Sequence, residues 1–349
     1  MSQFKNNIIP LDKFIDASMY NSKNGYYMNS NPFGNKGDFI TSPNISILFS
    51  EMIFVWIYSF WEYFGKPKKL NIVDLGGGNG EMIYRILVTA SKFKIFLESC
   101  NFYIFEKSPY LKKIQQKKIS NKNVVWLDNF NRIPKVPTLF IGNEFFDALP
   151  IKQFEKKNAK WYEKYVKKNT KNINFDYKKI DIKKIEKKIG FKISKGQKFI
   201  EFSPLGFELL KSMCGMINKY NGGLLIIDYG FMKHKMKDTI QAVKKHKKVD
   251  FLKEHINVDI SYLVNFNLIK SIIEKFNLNM IGFSSQRKFL INLGILHRAE
   301  ILSKNLLFSE KANIYSRLTR LIDKKQMGEL FKVAFISKKI NNKFRLGFK

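Results

Sequence analysis

Two stretches of this sequence combine residue types and spacings that can do chemistry. The first is Asp74-Leu75-Gly76-Gly77-Gly78-Asn79-Gly80, a GxGxG turn behind an acid. Glycines let the backbone turn sharply and let a ligand approach without meeting a Cβ. The spacing excludes two phosphate-binding patterns. A dinucleotide fingerprint counted from Gly76 needs glycine where Glu81 stands, and counted from Gly78 it needs glycine where Ile83 stands. A P-loop needs a Gly-Lys pair, and none follows. An acid just before the turn repels a pyrophosphate and suits a ligand amino group. S-adenosylmethionine carries that amino group and no phosphate, so Asp74, Gly76, Gly78 and Gly80 read as its cradle. A plain strand–helix turn would use the same glycines. Glu106 ends the next strand, where an acid accepts hydrogen bonds from ribose hydroxyls. Its structural alternative is a place beside the helix start at Ser108-Pro109, with Ser108 as the other candidate for that cap. Asp128, past the third strand, is positioned to accept from an adenine amino group.

The second stretch is Asn143-Glu144-Phe145-Phe146-Asp147-Ala148-Leu149-Pro150, after the fourth strand. Enzymes that methylate base amino groups commonly place Asn or Asp followed by Pro-Pro-Tyr there, and that pattern is absent. Two carboxylates suit a cationic, bidentate group such as a guanidinium. A capped helix start, with acids complementing the helix dipole, is the structural alternative. Glu144 and Asp147 are the candidate catalytic carboxylates, with Asp38 in the Gly37-Asp38-Phe39 loop as a third and Asn143 beside the cofactor. Thr41 and Ser42, at a helix start, are candidates for the cofactor carboxylate. Tyr229 and Trp161 are candidates to line a substrate channel, although buried aromatics more often pack.

These residues need a frame, and the apolar pattern supplies one. Short strands at 71–75, 101–106, 124–127, 138–142 and 223–228 alternate with helical stretches at 81–90 and 111–117. That alternation implies a doubly wound, Rossmann-like α/β sheet covered on both faces. Ser42 reads as N-cap and Pro43 as the first residue of one helix through the apolar run 45–64. Glu51 and Glu62 interrupt that run, so a core helix is expected and no membrane span. Four regions follow: a lead-in over 1–68 covering the cofactor site, the cofactor-binding core over 69–150, a hairpin and lysine-rich insertion over 151–200, and the rest of the sheet with terminal helices over 201–349. A strand pair is expected near 281–290.

Composition narrows the class. The chain has 349 residues with 45% hydrophobic and 26% charged, ordinary for a globular protein. Its 62 Lys+Arg against 29 Asp+Glu give a formal net charge of +33. Such a surplus can mark nucleic acid or an anionic membrane as partner. Here it is nearly all lysine, spread among abundant Asn, Ile and Phe as an AT-biased genome drifts. Arginine, which forks onto phosphates and guanines, is scarce. The surplus is read as solvated surface. Cys100 and Cys214 have no CxxC spacing, and the four histidines, His246 among them, have no ligand spacing, so no metal is expected. Residues 1–20 lack an apolar h-region and carry Asp12 and Asp16, unlike a signal or transit peptide. The expectation is a bacterial cytoplasmic protein, or a mitochondrial-matrix one only if organelle-encoded.

Several motifs together resemble one family. Gly25-Tyr26-Tyr27, then Phe33-Gly34-Asn35-Lys36-Gly37-Asp38-Phe39-Ile40-Thr41-Ser42-Pro43, then NEFFDALP at 143–150 are similar to the MidA (mitochondrial dysfunction protein A) family. Glu201-Phe202-Ser203-Pro204, Asp228-Tyr229-Gly230, the stretch 238–242, Gly282-Phe283 through Gly294, and 327–331 extend the resemblance over nearly the whole chain. Departures stand at Asn44, where the family has Glu, and at 76–80, where it often has Gly-Pro-Gly-Arg-Gly. A third is at 257–265, where it has Pro-Gly-x-x-Asp-Leu-Thr-Ala-His-Val-Asp. The resemblance implies a class I methyltransferase using S-adenosyl-L-methionine on an arginine of a protein. A core subunit of respiratory complex I is the implied partner and symmetric dimethylation the implied product. Two alternatives remain: a non-catalytic cofactor-binding assembly factor, and an RNA methyltransferase, which the charge favours and NEFFDALP disfavours.

Overall fold

A strand buried at every position must be covered on both faces. Leu70–Leu75 (β1) is such a strand, and it lies at the middle of the main sheet. The computed structural model describes residues 8–29, 32, 34, 41–120, 124–168, 172–244, 247–254 and 258–349. Cys100–Phe105 (β2) and Val124–Leu127 (β3) follow on one side of β1. Thr138–Asn143 (β4), Gly222–Phe231 (β5), Asn279–Ser285 (β6) and Phe331–Ser337 (β7) build the other side. The order is β3-β2-β1-β4-β5-β7-β6, with β1 to β5 parallel and β7 antiparallel to both its neighbours. Strand order reverses between β1 and β4, and the crevice beyond their carboxyl ends is where such sheets bind ligands.

Side chains alternate along β1 and so feed two cores. Leu70 and Ile72 join the layer under Ile47–Tyr63 (α2) and Glu81–Ala90 (α3). Val73 and Leu75 join the opposite layer under Pro204–Tyr220 (α5) and Phe266–Lys275 (α6). Pro109–Lys118 (α4) follows β2. In the first layer Trp56 stacks on Phe60 with ring centroids 5.8 Å apart, and Phe335 and Phe344 meet both edge-on.

The 151–200 region forms a hairpin of Lys152–Lys157 and Lys160–Lys168, turning through Asn158 and Ala159 at positive φ. Ile173–Ile180, Phe199–Phe202 and Ile8–Pro10 extend it into a second sheet. Leu11–Tyr20 (α1) packs between this sheet and a third one that includes Gln241–Lys244 and Asp259–Ser261. Among the described residues no helix is long and apolar enough to cross a membrane.

Two local expectations need correction. The 45–64 run is not one helix begun at Ser42. Thr41 flanks a single turn, Ser42–Ile45, and the chain then extends at Ser46, whose Oγ accepts from Leu48 N and starts α2. Ser46, one residue past the apolar Ile45, is the better cap because its hydroxyl reaches the free N–H groups. The expected strand pair at 281–290 is one strand, β6, followed by the helix Gln286–Asn292. The partner of β6 is β7, far along the chain, which local patterning does not reveal. Phe60 is fully buried in the aromatic layer. Phe60→Ala should cost about 3–5 kcal/mol, read as a lower urea midpoint with unchanged slope; a cost near zero would mean the layer does not hold α2 to the sheet.

Candidate functional site

The turn after β1 is left-handed at alternate residues: φ is 67° at Gly76, 55° at Gly78 and 79° at Gly80. Residues with a Cβ avoid that region, so the spacing of the three glycines is a backbone requirement. Space is also short. A Cβ on Gly76 would lie 2.8 Å from the Phe145 ring, and one on Gly77 would lie 2.7 Å from Ile104. The turn is tied down by Gln115, which sequence reading missed. Its Nε2 donates to the Gly78 carbonyl at 2.8 Å and to Glu106 Oε2 at 3.1 Å, while its Oε1 accepts from Trp126 Nε1 at 2.8 Å. The signal was present: Gln115 lies one helical turn beyond Leu111, on the buried face of a lysine-rich helix.

Asp74 ends β1 almost wholly buried, and burial first, then the charge of Glu106, pushes its carboxyl up to about 7. Its Oδ2 has no hydrogen-bond partner among the described residues, and neither does Oδ1 of buried Asn143 at the end of β4. Glu106 is buried beyond β2 and accepts from Ser108 N at 2.9 Å. Burial raises its pKa, against the pull of that N–H and of Gln115. Ser108 caps α4, its Oγ accepting from Leu111 N at 3.1 Å, which leaves Glu106 beside the cap and facing the cleft. A cleft of about 360 Å³ runs past Gly76, Gly78, Phe105, Glu106, Asp128 and Phe145. A smaller cavity of about 40 Å³ continues past Asp74, Asn143 and Glu144 to Thr41. Asp128 is exposed at the cleft rim and pairs with Lys112.

This arrangement fits S-adenosyl-L-methionine. Glu106 faces the wide cleft, where the ribose would lie. The two unpartnered buried acceptors, Asp74 Oδ2 and Asn143 Oδ1, face the narrow end, where an ammonium can satisfy them. Thr41 lines that narrow end, and its Oγ1 accepts from Asn44. Ser42 has a different place. It is fully buried, its N–H donates to Glu144 Oε1 at 3.0 Å, and its hydroxyl donates to Gln286 at 3.4 Å. The amide read as a cofactor contact thus holds a carboxylate of the protein itself.

Beyond the narrow end the acids gather. Glu144 has φ 52°, a conformation uncommon outside glycine, and accepts from Ser42 N and Asn143 Nδ2. Burial pushes it up to about 7. Asp147 is raised well above the usual carboxylate range by burial and by the charges of Asp228, Asp259 and Glu144. Asp228, at the end of β5, is fully buried and accepts from Phe146 N and Tyr229 N, each at 2.9 Å. Its carboxyl is likewise pushed up to about 7. Sequence reading did not count Asp228 or Asp259 in the site, although Asp228 follows the apolar run of its strand as Asp74 follows that of β1. Asp38 and His246 lie outside the described residues. Trp161 packs in the second core layer rather than lining a channel, and Tyr229 rests against Phe331.

The raised carboxyls set a pH dependence. Between about pH 4 and about pH 7 the folded protein keeps protons on Asp74, Glu144 and Asp228 that the unfolded chain has lost. Stability of the ligand-free protein should therefore fall as pH rises through that window and level off above it. Thermal midpoints measured at constant ionic strength check this, and Asp74→Asn should flatten the fall. A steeper fall in that variant would contradict the assignment.

Comparison with known proteins agrees with the geometry. Residues 52–284 match a family model described as S-adenosyl-L-methionine-dependent methyltransferase. The mitochondrial protein arginine methyltransferase NDUFAF7 of Xenopus laevis is 29% identical over 362 residues, covering 93% of this chain and 80% of that protein. The NDUFAF7 homolog of Caenorhabditis elegans is 30% identical over 302 residues, covering 78% and 70%. A COG1565 superfamily member from Burkholderia thailandensis, solved bound to S-adenosyl-homocysteine, superposes with a TM-score of 0.79 at 21% identity, covering 98% of this chain and 89% of that one. That likeness establishes a shared fold. With the glycine turn, the strand-end acids and two thirds of its length inside the family model, the chain belongs to the S-adenosyl-L-methionine-dependent methyltransferases.

Proposed function

We propose that this enzyme methylates a guanidinium nitrogen of an arginine in a partner protein. The observation that carries the reading is the gathering of acids beside the narrow cavity: Glu144 lines it, and Asp147 and Asp228 stand close enough to Glu144 to feel its charge. Buried acids at that density are costly without a cation among them. When bound, S-adenosyl-L-methionine supplies an electrophilic methyl group on a sulfonium. The chain's own task is alignment and proton handling. Glu144 and Asp147 hold the guanidinium, which fixes one nitrogen in line with the methyl and draws positive charge toward the far nitrogens. A carboxylate with a pKa near 7 is also suited to accept the proton that the nitrogen loses. Asp228 keeps its two backbone donors and holds the 144–147 loop in place. In the same reading Asp74, Asn143 and the glycines keep the cofactor's amino-acid end in the narrow cavity, Glu106 takes the ribose, and Asp128 takes the adenine amino group.

The relatives named as NDUFAF7 arginine methyltransferases support this substrate class. The resemblance to the MidA family extends it to a core subunit of respiratory complex I as target and symmetric dimethylarginine as product. The relatives named as mitochondrial suggest that the protein works where that complex is assembled. For a bacterial chain that place is the cytoplasm.

The test supplies deuteromethyl-labelled S-adenosyl-L-methionine with arginine-bearing protein and with RNA, and locates the label by mass spectrometry. Label on arginine is expected. Glu144→Gln should lower kcat by about 10²–10⁴-fold while cofactor affinity by calorimetry stays within about threefold. Label on RNA alone, or cofactor binding with no turnover on any acceptor, would sink the proposal.

A further inference from the structure

The residues around Tyr27 join the wide part of the cofactor cleft to the acidic end of the site. Tyr27 lies in the Tyr26–Asn29 turn that follows α1, and its ring lines the wide cleft. Its carbonyl accepts from Ser108 Oγ at 2.5 Å, and Ser108 N in turn holds Glu106. Its hydroxyl donates to Asp259 Oδ1 at 2.8 Å across a buried contact. Asp259 begins the short strand Asp259–Ser261 in the third sheet. The residue just past that strand, Tyr262, donates its N–H to the Asp147 carbonyl at 3.1 Å. The strand carrying Asp259 is therefore pinned to the loop carrying Asp147, and the Asp259 carboxylate bears on both Asp147 and Glu144.

We infer that Asp259 is a third carboxylate at the cationic end of the substrate and that the Tyr27 hydroxyl positions it, so that substrate capture depends on the Tyr26–Asn29 turn holding its place at the cofactor cleft. This rests on the proposal that the acidic end takes a cationic side chain. Two features make Tyr27 fit the role. It approaches from the cleft side, so a residue that lines the cleft also sets the direction of Asp259. Burial and the neighbouring acids also keep its phenol protonated, which makes it a hydrogen-bond donor at every working pH. The remaining acids at this end are held from elsewhere: Glu144 by Ser42 and Asn143, and Asp228 by the backbone of Phe146 and Tyr229. The Glu144 ties run to the narrow end of the cofactor site, whereas Asp259 is tied to Tyr27, which lines the wide cleft.

The test compares wild-type enzyme with Tyr27→Phe and Asp259→Asn. It measures S-adenosyl-L-methionine affinity by calorimetry, and KM and kcat for cationic peptides carrying arginine or lysine. Loss of a hydrogen bond to a charged group predicts a KM for the methylated peptide about tenfold or more above wild type in both variants. Cofactor affinity should stay within about threefold of wild type in both variants, and in Tyr27→Phe the rise in peptide KM should exceed any fall in kcat. A purely structural role for Tyr27 would lower the thermal midpoint and weaken both ligands together, and would overturn the inference. An unchanged peptide KM in Tyr27→Phe would overturn it as well. Should wild-type enzyme methylate lysine peptides and not arginine ones, the arginine reading falls, while the same KM comparison still decides the role of Tyr27. If no cationic peptide is methylated, both fall together.

Discussion

The amide of Gln115 donates to acceptors on two different parts of the sheet, and the site depends on that double contact. A turn with three left-handed glycines leaves carbonyls pointing out of the chain, and a buried carbonyl without a donor is costly. Gln115 satisfies the Gly78 carbonyl and also steadies Glu106, so the turn after β1 and the acid after β2 share one anchor. The anchor is fixed in turn by Trp126 on β3. Three adjacent strand ends are thus locked to each other before any ligand arrives. Such preorganisation lowers the ordering cost of binding.

The second organising feature is a concentration of buried acid in a strongly basic chain. Net charge of +33 spreads over the exterior as lysine, while Asp74, Glu106 and Glu144 line the cleft and its narrow end and Asp147, Asp228 and Asp259 cluster behind Glu144. Desolvation drives several of these groups toward neutrality in the ligand-free state, which lessens their mutual repulsion. The exterior lysines need no partner to explain them: on the helix Ile182–Ile189 the isoleucines turn inward and the lysines face water.

Much of the cofactor half was legible in the sequence, because strand ends and glycine turns are local. Glu81–Ala90 begins and ends where the pattern places it, and Gly76, Gly78 and Gly80 are the residues that the backbone bends through. The substrate half was less legible. Asp228 and Asp259 reach Asp147 from strands far along the chain, and only the sheet order brings them together. β7 inserts between β5 and β6 for the same non-local reason. Gln115 was passed over because a glutamine in a lysine-rich helix reads as solvent-facing until its helical phase is compared with Leu111. Ser42 was misread because the N–H of a helix start serves any acid nearby, and here the nearest is Glu144.

The departures from the family pattern become orderly once the contacts are in view. Asn44 stands where the family has Glu, and Asn79 where its glycine turn carries Arg. The two side chains meet, Asn79 Nδ2 donating to Asn44 Oδ1 at 2.7 Å, so both changes fall in a single contact. A neutral amide pair there ties the Ser42–Ile45 turn to the glycine turn. At the third departure, Asn265 holds the place of the family's second acid and keeps its structural task, since Oδ1 accepts from Asn267 N and Leu268 N and caps α6. The first acid of that stretch is retained as Asp259. The sequence has drifted where an amide can replace a carboxylate in a hydrogen bond, and has kept its acid where a negative charge faces the site.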